Sequence, residues 1–391
     1  MSEVRLAILG SHPVTYRVPL YQALSNEPGL DALVVYGDDY GVRPRKSRWG
    51  VDDFVWQMPM TDGYRHVFVP NRAPKPDPSN FFGKVNPGLW RALGDFDPHA
   101  VLISGYAGVY QLQSFAGAWL SRRKVLYTAD TNVLGDRGGV RGRVRSAMLR
   151  SLYRGVDVFL SPGTRANEHY AAHGVPASKI VRFPLAVDNA AFRAAAERLA
   201  PSRETIRAKW NIPANRACVL SVSRLTPWKN VDAILEAAVG VPEAHVLIVG
   251  SGPEESALRA KASSLLPGRH TFAGFLNIDA IAEAYVAADV YALASHYEPW
   301  GLTVNEAMNF GLPLVLSDRV GAAADLVRPG DTGEVFPAGD AGAFRAALGR
   351  VVQRLDGDRV GVASRVRADV DRYSVAAQVM GLREGLAAIG L

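Results

Sequence analysis

The sequence predicts an α/β protein built from two doubly wound parallel sheets. Three observations carry that reading. The chain of 391 residues is too long for one ordinary core. Two separate series of short apolar runs alternate with helix-period stretches, and a strand-free segment bracketed by prolines divides them. The expected boundaries are 1–190 for the first domain, 191–370 for the second, and 371–391 for a closing helix returning to the first.

In the first series VRLAILG, ALVVYG, RHVFVP, AVLISG, KVLYTA, VDVFLSP and KIVRFP read as strands. Their unbroken apolar middles suit strands covered on both faces. Between them, RVPLYQALSNE and NPGLWRALGDF repeat apolar residues at helical spacing. Pro184 to Pro213 reads as a linker followed by a helix. The second series runs ACVLSVS, AHVLIVG, HTFAGF, ADVYALA, LPLVLSD and GEVFP. Ligands of open α/β sheets bind outside the carboxyl ends of the strands, so a central cleft faced by both domains is the expected site.

Composition narrows the class. The 48% hydrophobic and 21% charged residues describe a globular chain, and no stretch is apolar enough to cross a bilayer. MSEVRLAILG enters a strand without the pattern of a secretory signal, and the single cysteine, Cys218, sits in an apolar run as a buried inert thiol. A cytoplasmic location follows as the expectation. The net charge of +6 favours anionic ligands but is too small to imply nucleic acid, for which no recognition motif appears. The oligomeric state is not legible.

Loops after the strands of the second series collect the unusual residues. SRLTPWKN puts Arg224 and Lys229 at the start of the helix VDAILEAA, where the helix dipole disfavours each cation by roughly 0.3–1 kcal/mol. A diphosphate there reverses that sign and accepts the helix N–H groups; otherwise the two are solvated surface cations. In GSGPEE, Gly250 and Gly252 allow close approach of a ligand to the backbone, although an ordinary strand-to-helix turn explains either alone. Glu255 stands where a dinucleotide fingerprint wants a third glycine, and the turn at Gly10 departs from it further, so nicotinamide binding is disfavoured.

YEPWGLTVNEAMNFGLP holds Glu298 and Glu306 on either side of a glycine bend. A helix is expected from Thr303 to Phe310, capped by Gly311 and stopped by Pro313. The amides of Gly301, Leu302 and Thr303 then face an anion. A carboxylate accepts two hydrogen bonds side by side and so matches a vicinal diol. Glu306 can grip ribose and Glu298 a sugar with phosphates between them; the bland alternative is a helix-start acid and a solvated helix residue.

The order S-x-x-E-P-W-G-L-x-x-x-E-A-M-x-x-G-x-P, from Ser295 to Pro313, resembles the signature of retaining, nucleotide-sugar-dependent glycosyltransferases of family 4, which have the GT-B fold of two Rossmann-like domains. SVSRLTPWKN resembles that family's basic diphosphate loop and VGSGPEE its glycine turn. SPGTRANEHY and PLAVDNAAF, with Asp188 and Phe192, resemble its passage towards the linker. The resemblance implies that Glu306 binds the nucleotide ribose and Glu298 the donor sugar. It gives the diphosphate to Arg224 and Lys229, assisted by backbone from Gly301 to Thr303, and sets Phe275 and Leu276 near the base. It implies transfer by front-face substitution to a hydroxyl of a natural-product or glycan acceptor, with UDP the favoured donor nucleotide from its frequency in the family. No aspartate-containing metal motif is evident, so no obligatory metal is expected. One departure stands out: where the family often carries a histidine facing the donor sugar, KVLYTADTN offers Asp130, which either assists there or caps the next segment.

The acceptor is expected at the first domain, with Gly10, His12, Tyr16 and Arg17 as candidates after its first strand. Arg43, Arg45, Lys46 and Arg48 form a basic run with Trp49, and arginines recur from Arg137 to Arg154. The latter stretch reads as a helix with Val144, Met148 and Leu152 on one side. Packing of that side on its own sheet is favoured over peripheral contact with anionic lipid. Two other classes compete with a transferase: a nucleotide-sugar epimerase, for which no additional cleft acids and histidine can be pointed to, and a non-catalytic nucleotide-sugar-binding protein.

Overall fold

The computed structural model describes residues 3–44, 55–77, 79–135 and 139–391. Arg45, Lys46, Arg48 and Trp49 of the basic run, and Arg137, lie outside the described residues. The chain forms two compact units: Met1–Leu185 joined by Val375–Leu391, and Ala186–Ser374.

The sheet of the first unit contains β1 (Val4–Gly10), β2 (Leu30–Tyr36), β3 (His66–Phe68), β4 (Ala100–Ser104), β5 (Lys124–Thr128), β6 (Val158–Ser161) and β7 (Ile180–Arg182). The strands are parallel, in the order β3-β2-β1-β4-β5-β6-β7. Successive side chains alternate between two cores. Ala7, Leu9, Val101 and Ile103 pack with α2 (Leu89–Phe96), α3 (Val109–Leu120), α4 (Gly139–Arg154) and α5 (Thr164–Ala172), while Leu6, Ile8, Ala100 and Leu102 pack with α1 (Val18–Ser25). Helices on both sides explain why these strands read as unbroken apolar runs.

One expectation for α4 is corrected. Its buried face is Leu149, Leu152 and Tyr153, whereas Val144 and Met148 are exposed. In a 3.6-residue helix, Leu149 and Leu152 lie one turn apart over the sheet, leaving Val144 and Met148 on the outer side.

The second unit begins with α6 (Asn189–Leu199) and α7 (Arg203–Lys209), so Pro184 to Pro213 holds two helices rather than one. Asp188 starts α6 by accepting a hydrogen bond from the Ala191 N–H (2.9 Å), and Pro201 sits in the turn that separates the pair. The parallel sheet comprises β8 (Ala217–Val222), β9 (Ala244–Val249), β10 (His270–Gly274), β11 (Val290–Leu293), β12 (Leu314–Ser317) and β13 (Gly333–Phe336). Its order is β10-β9-β8-β11-β12-β13. Helices α8 (Val231–Val239), α9 (Glu255–Leu265), α10 (Ile278–Ala287), α11 (Leu302–Asn309), α12 (Ala323–Leu326) and α13 (Ala341–Val370, kinked at Asp358) complete it. Both units are thus doubly wound α/β layers.

After Ser374 the chain returns to the first unit as α14 (Val375–Ala387), packed against α1, β6 and β7. A side chain at Gly381 would bring its Cβ to 2.0 Å from the Arg182 carbonyl oxygen, so this contact requires glycine. Among the described residues no helix is long and apolar enough to cross a membrane.

A buried charge cluster fixes the floor of the second unit. Asp289, at the entry to β11, accepts hydrogen bonds from Arg207 (3.0 Å), Arg203 (2.7 Å), Arg359 and the Cys218 amide (2.8 Å). The Arg207 side chain is 2% exposed and also donates to three backbone carbonyls, of Ala287, Pro213 and Arg216. Removing one partner of a buried pair leaves the other desolvated. Arg207→Ala is therefore expected to cost the second unit about 3–5 kcal/mol in denaturant unfolding, against less than about 1 kcal/mol for alanine at the exposed Arg259.

Candidate functional site

In the second unit the strand order reverses between β8 and β11. Chains leaving these two strands turn to opposite sides and open a crevice at the carboxyl edge. The loops after β10, β9, β8 and β11 lie side by side in that order. Three inter-strand gaps of about 4.8 Å spread them over roughly 14 Å. They carry Phe275 and Leu276, Gly250 and Gly252, Arg224 and Lys229, and the segment from Glu298 to Glu306.

The loop after β8 is held by its neighbour. The Ser223 and Leu225 amides donate to the Val249 and Ser251 carbonyls (3.1 and 3.0 Å). The backbone that comes closest to the two glycines is that of this loop. A Cβ on Gly250 (φ +133°) would lie 1.9 Å from the Ser223 carbonyl oxygen, and one on Gly252 2.2 Å from that of Leu225. The glycines therefore seat the Arg224 loop. Asn230 ends the loop in the left-handed region (φ 53°), which asparagine tolerates, and α8 starts directly after it. Arg224 is exposed and has no ion pair among the described residues. Trp228, beside Lys229, is also exposed, and its carbonyl accepts from the His296 amide (2.8 Å).

At the reversal the ammonium of Lys229 donates to Glu298, both side chains being largely buried. The Glu298 backbone is pinned by the segment after β12: its amide donates to the Arg319 carbonyl (3.0 Å) and its carbonyl accepts from Gly321 (2.9 Å). Gly301 (φ +97°) makes the bend, and no side chain caps α11. The Leu302 and Thr303 amides have no carbonyl acceptor within the helix. They open towards the crevice with the positive end of the helix dipole behind them.

Glu306 lies one turn into α11. The Tyr285 hydroxyl donates to its Oε2 (2.6 Å), and among the described residues no cation pairs with it. Burial pushes its carboxyl pKa up to about 7, the Tyr285 hydrogen bond pulling partly the other way. The Tyr291 hydroxyl bridges the Thr303 hydroxyl (2.6 Å) and the Val222 carbonyl (3.4 Å), joining the start of α11 to the end of β8. Neither tyrosine was legible as a site residue: YVAADVYALA reads as core, and only the fold turns the two hydroxyls towards α11. Phe275 is exposed after the left-handed Gly274 (φ +70°), and Leu276 is half-buried.

The reversal in the first unit's sheet falls between β1 and β4. Beside it, Gly10 ends β1 with the Tyr36 ring 3.1 Å from where a Cβ would stand. His12 bonds Ser11 through Nδ1 (2.7 Å) and meets the Tyr40 ring edge-on at 5.6 Å. Arg17 lies over the Tyr16 ring (5.8 Å), and its Nη1 is buried without a hydrogen-bond partner. Asp130 follows β5 with its surface open to solvent, near enough to Arg17 for their charges to attract. Partial desolvation raises its carboxyl pKa, and the Arg17 charge opposes that. The structure thus gathers Gly10 to Arg17 and Asp130 on one edge.

A family model for glycosyl transferases group 1 matches residues 202–355, and one for the glycosyl transferase 4-like domain matches residues 13–186. The chain is 31% identical over 312 residues to a GDP-mannose-dependent alpha-mannosyltransferase of Mycolicibacterium smegmatis (strain ATCC 700084 / mc(2)155), covering 78% of each. It is 28% identical to the GDP-mannose-dependent alpha-(1-6)-phosphatidylinositol monomannoside mannosyltransferase of the same strain, covering 73% of this chain and 74% of that one. The crystal structure of Anabaena Alr3699/HepE in complex with UDP superposes with a TM-score of 0.72 at 17% identity, over 98% of this chain and 100% of that one.

Glu306 gives a pH test. Its native pKa of about 7 lies above the ordinary carboxyl value of 4.5, so the native state binds the extra proton between them. Stability is then lost as pH rises through that window, and the penalty is complete above it. Glu306→Gln removes it while keeping an acceptor for Tyr285. The variant is expected to gain in melting temperature over the parent as pH rises from 5 to 8 (~3 units), and a pH-independent difference would refute the assignment.

Proposed function

The chain belongs to the glycosyltransferases of the family 4 type, and we propose that it transfers a sugar from a nucleoside diphosphate to a hydroxyl acceptor with retention of anomeric configuration. The observation that carries this reading is the meeting of Lys229 and Glu298 at the strand-order reversal, beside the uncapped start of α11. There a cation and two unpaired amides serve a diphosphate, and a carboxylate fixed by its own backbone serves the sugar hydroxyls.

On this reading Glu306 takes the ribose hydroxyls. Its shell holds one donor, Tyr285, leaving capacity for a diol. Arg224 and Lys229 take the diphosphate, with Gly301, Leu302 and Thr303 contributing backbone amides. Phe275 and Leu276 border the base. The acceptor is assigned to the first unit's edge with Gly10, His12, Tyr16 and Arg17, and Asp130 assists by holding Arg17 in place.

The reaction breaks the bond from the anomeric carbon to the phosphate oxygen and forms one to the acceptor oxygen on the same face. The departing phosphate oxygen takes the acceptor's proton. Negative charge grows on the diphosphate, so the two cations and the α11 amides supply most of the stabilisation, without a metal. Glu298 orients both the sugar and Lys229. The names of the two mycobacterial relatives support GDP-mannose as donor, and the second name, a phosphatidylinositol monomannoside mannosyltransferase, supports a glycan acceptor carried on a lipid. This displaces UDP, which rested on family frequency, to second place; UDP is bound in the Anabaena structure.

Four measurements test the proposal. In a thermal-shift panel GDP is expected to raise the melting temperature more than UDP or ADP; no shift with any nucleoside diphosphate overturns the donor site. Arg224→Ala and Lys229→Ala are each expected to lower kcat by about 100-fold or more with a smaller change in nucleotide Kd, and turnover should survive a chelator. Glu298→Gln frees Lys229 from its carboxylate. It should hold GDP as tightly as the parent or tighter while losing kcat; equal loss of both places Glu298 in nucleotide binding instead.

A further inference from the structure

The outer layer of the first unit is apolar and basic where a solvated helix face is ordinarily polar. We propose that this layer, formed by α3, α4 and the aromatic loop before α2, docks on an anionic membrane surface. The proposal rests on exposure and charge, independently of the transfer reaction.

Helix α4 carries five arginines and no acid. Arg141 and Arg143 occupy its opening turns, where the helix dipole is adverse to cations. Among the described residues, neither these two nor Arg150 and Arg154 have a carboxylate partner. On the outer side Val140, Val144 and Met148 recur every fourth residue and are 67%, 66% and 46% exposed. A face that reads apolar at helical spacing normally covers a core; this one is left largely exposed.

Three contacts make the surface continuous. The Trp119 Nε1 at the end of α3 donates to the Gly155 carbonyl just past α4 (2.8 Å). Arg145 donates to the Tyr106 hydroxyl ahead of α3 (2.9 Å). The Val109 amide, first in α3, donates to the Phe81 carbonyl (2.9 Å), which brings in the exposed, edge-to-face pair Phe81 and Phe82. Trp119 and Leu120 add exposed apolar area at the far end.

The pattern selects the occupant. The cations of α4 share one sign, so the complementary partner is a continuous anionic sheet. Short aliphatic and aromatic side chains between them suit shallow insertion below a headgroup layer. The opening turns of α4 and the phenylalanine pair lie at the carboxyl edge of this sheet, on the side that also carries Asp130 and the loop from Gly10 to Arg17. Docking there sets lipid headgroups beside the edge assigned to the acceptor.

Sedimentation of the full chain with vesicles tests this. The protein is expected to pellet with mixed phosphatidylglycerol and phosphatidylcholine vesicles, to remain in solution with phosphatidylcholine alone, and to be released by high salt. Val144→Glu with Met148→Glu, and separately Phe82→Glu, should each weaken vesicle binding by about 10-fold at unchanged melting temperature. Val360→Glu, at an exposed residue of the second unit, should not. Absence of pelleting with anionic vesicles, or pelleting of the glutamate variants like the parent, overturns the proposal. So does lipid-free self-association abolished by the same substitutions, which identifies the face as a contact between copies. The readout needs no donor or acceptor, so loss of transferase activity and loss of docking are separately visible.

Discussion

The site of the second unit depends on one constraint: the reversal of strand order between β8 and β11. Lys229 and Glu298 are 69 positions apart, and only there do the loops carrying them become neighbours. The Tyr291 hydroxyl reinforces the junction from below, bonded to the end of β8 and the start of α11. A fold whose strands all followed in sequence order would have no such crevice. The arrangement of charge is thus a consequence of topology before it is a matter of individual residues.

Two acids of this unit show how a saturated and an unsaturated carboxylate differ. Asp289 is saturated by three arginines and a backbone amide, and its neighbourhood ties α7, β8 and α13 together. Glu306 is half-buried and has one tyrosine donor, and its raised pKa records the deficit. A protein does not gain stability from such a group. On the proposed reading, hydroxyls arriving from a ligand would complete its shell, and a half-satisfied acid in a crevice points to binding. Glu298 is intermediate, with Lys229 as its cation.

Much of the fold was legible because burial on both faces leaves a simple mark. Every apolar run read as a strand falls on one, and Gly311 and Pro313 close α11 where a left-handed cap and a chain stop belong. What escaped was tertiary. Gly250 and Gly252 make room for the backbone of a neighbouring loop, a contact no local spacing encodes. Tyr285 and Tyr291 sit in runs whose apolar character is genuine, so their hydroxyls gave no signal. In α4 the residues at one helical spacing were taken as the inner face, while the true contact uses Leu149, Leu152 and Tyr153. With arginines on all sides, the amphipathic direction of that helix is set by the sheet beneath it.

The second unit is an insertion: the first unit is interrupted after Leu185 and resumes only at Val375. During synthesis on a ribosome, β6 and β7 emerge long before the helix that covers them, and their apolar side waits through nearly two hundred residues of translation. The inserted unit has all its own strands by then and can mature first. A nascent chain cut short before Val375 would keep that finished half while leaving the other with an uncovered sheet, a natural target for chaperones and proteases.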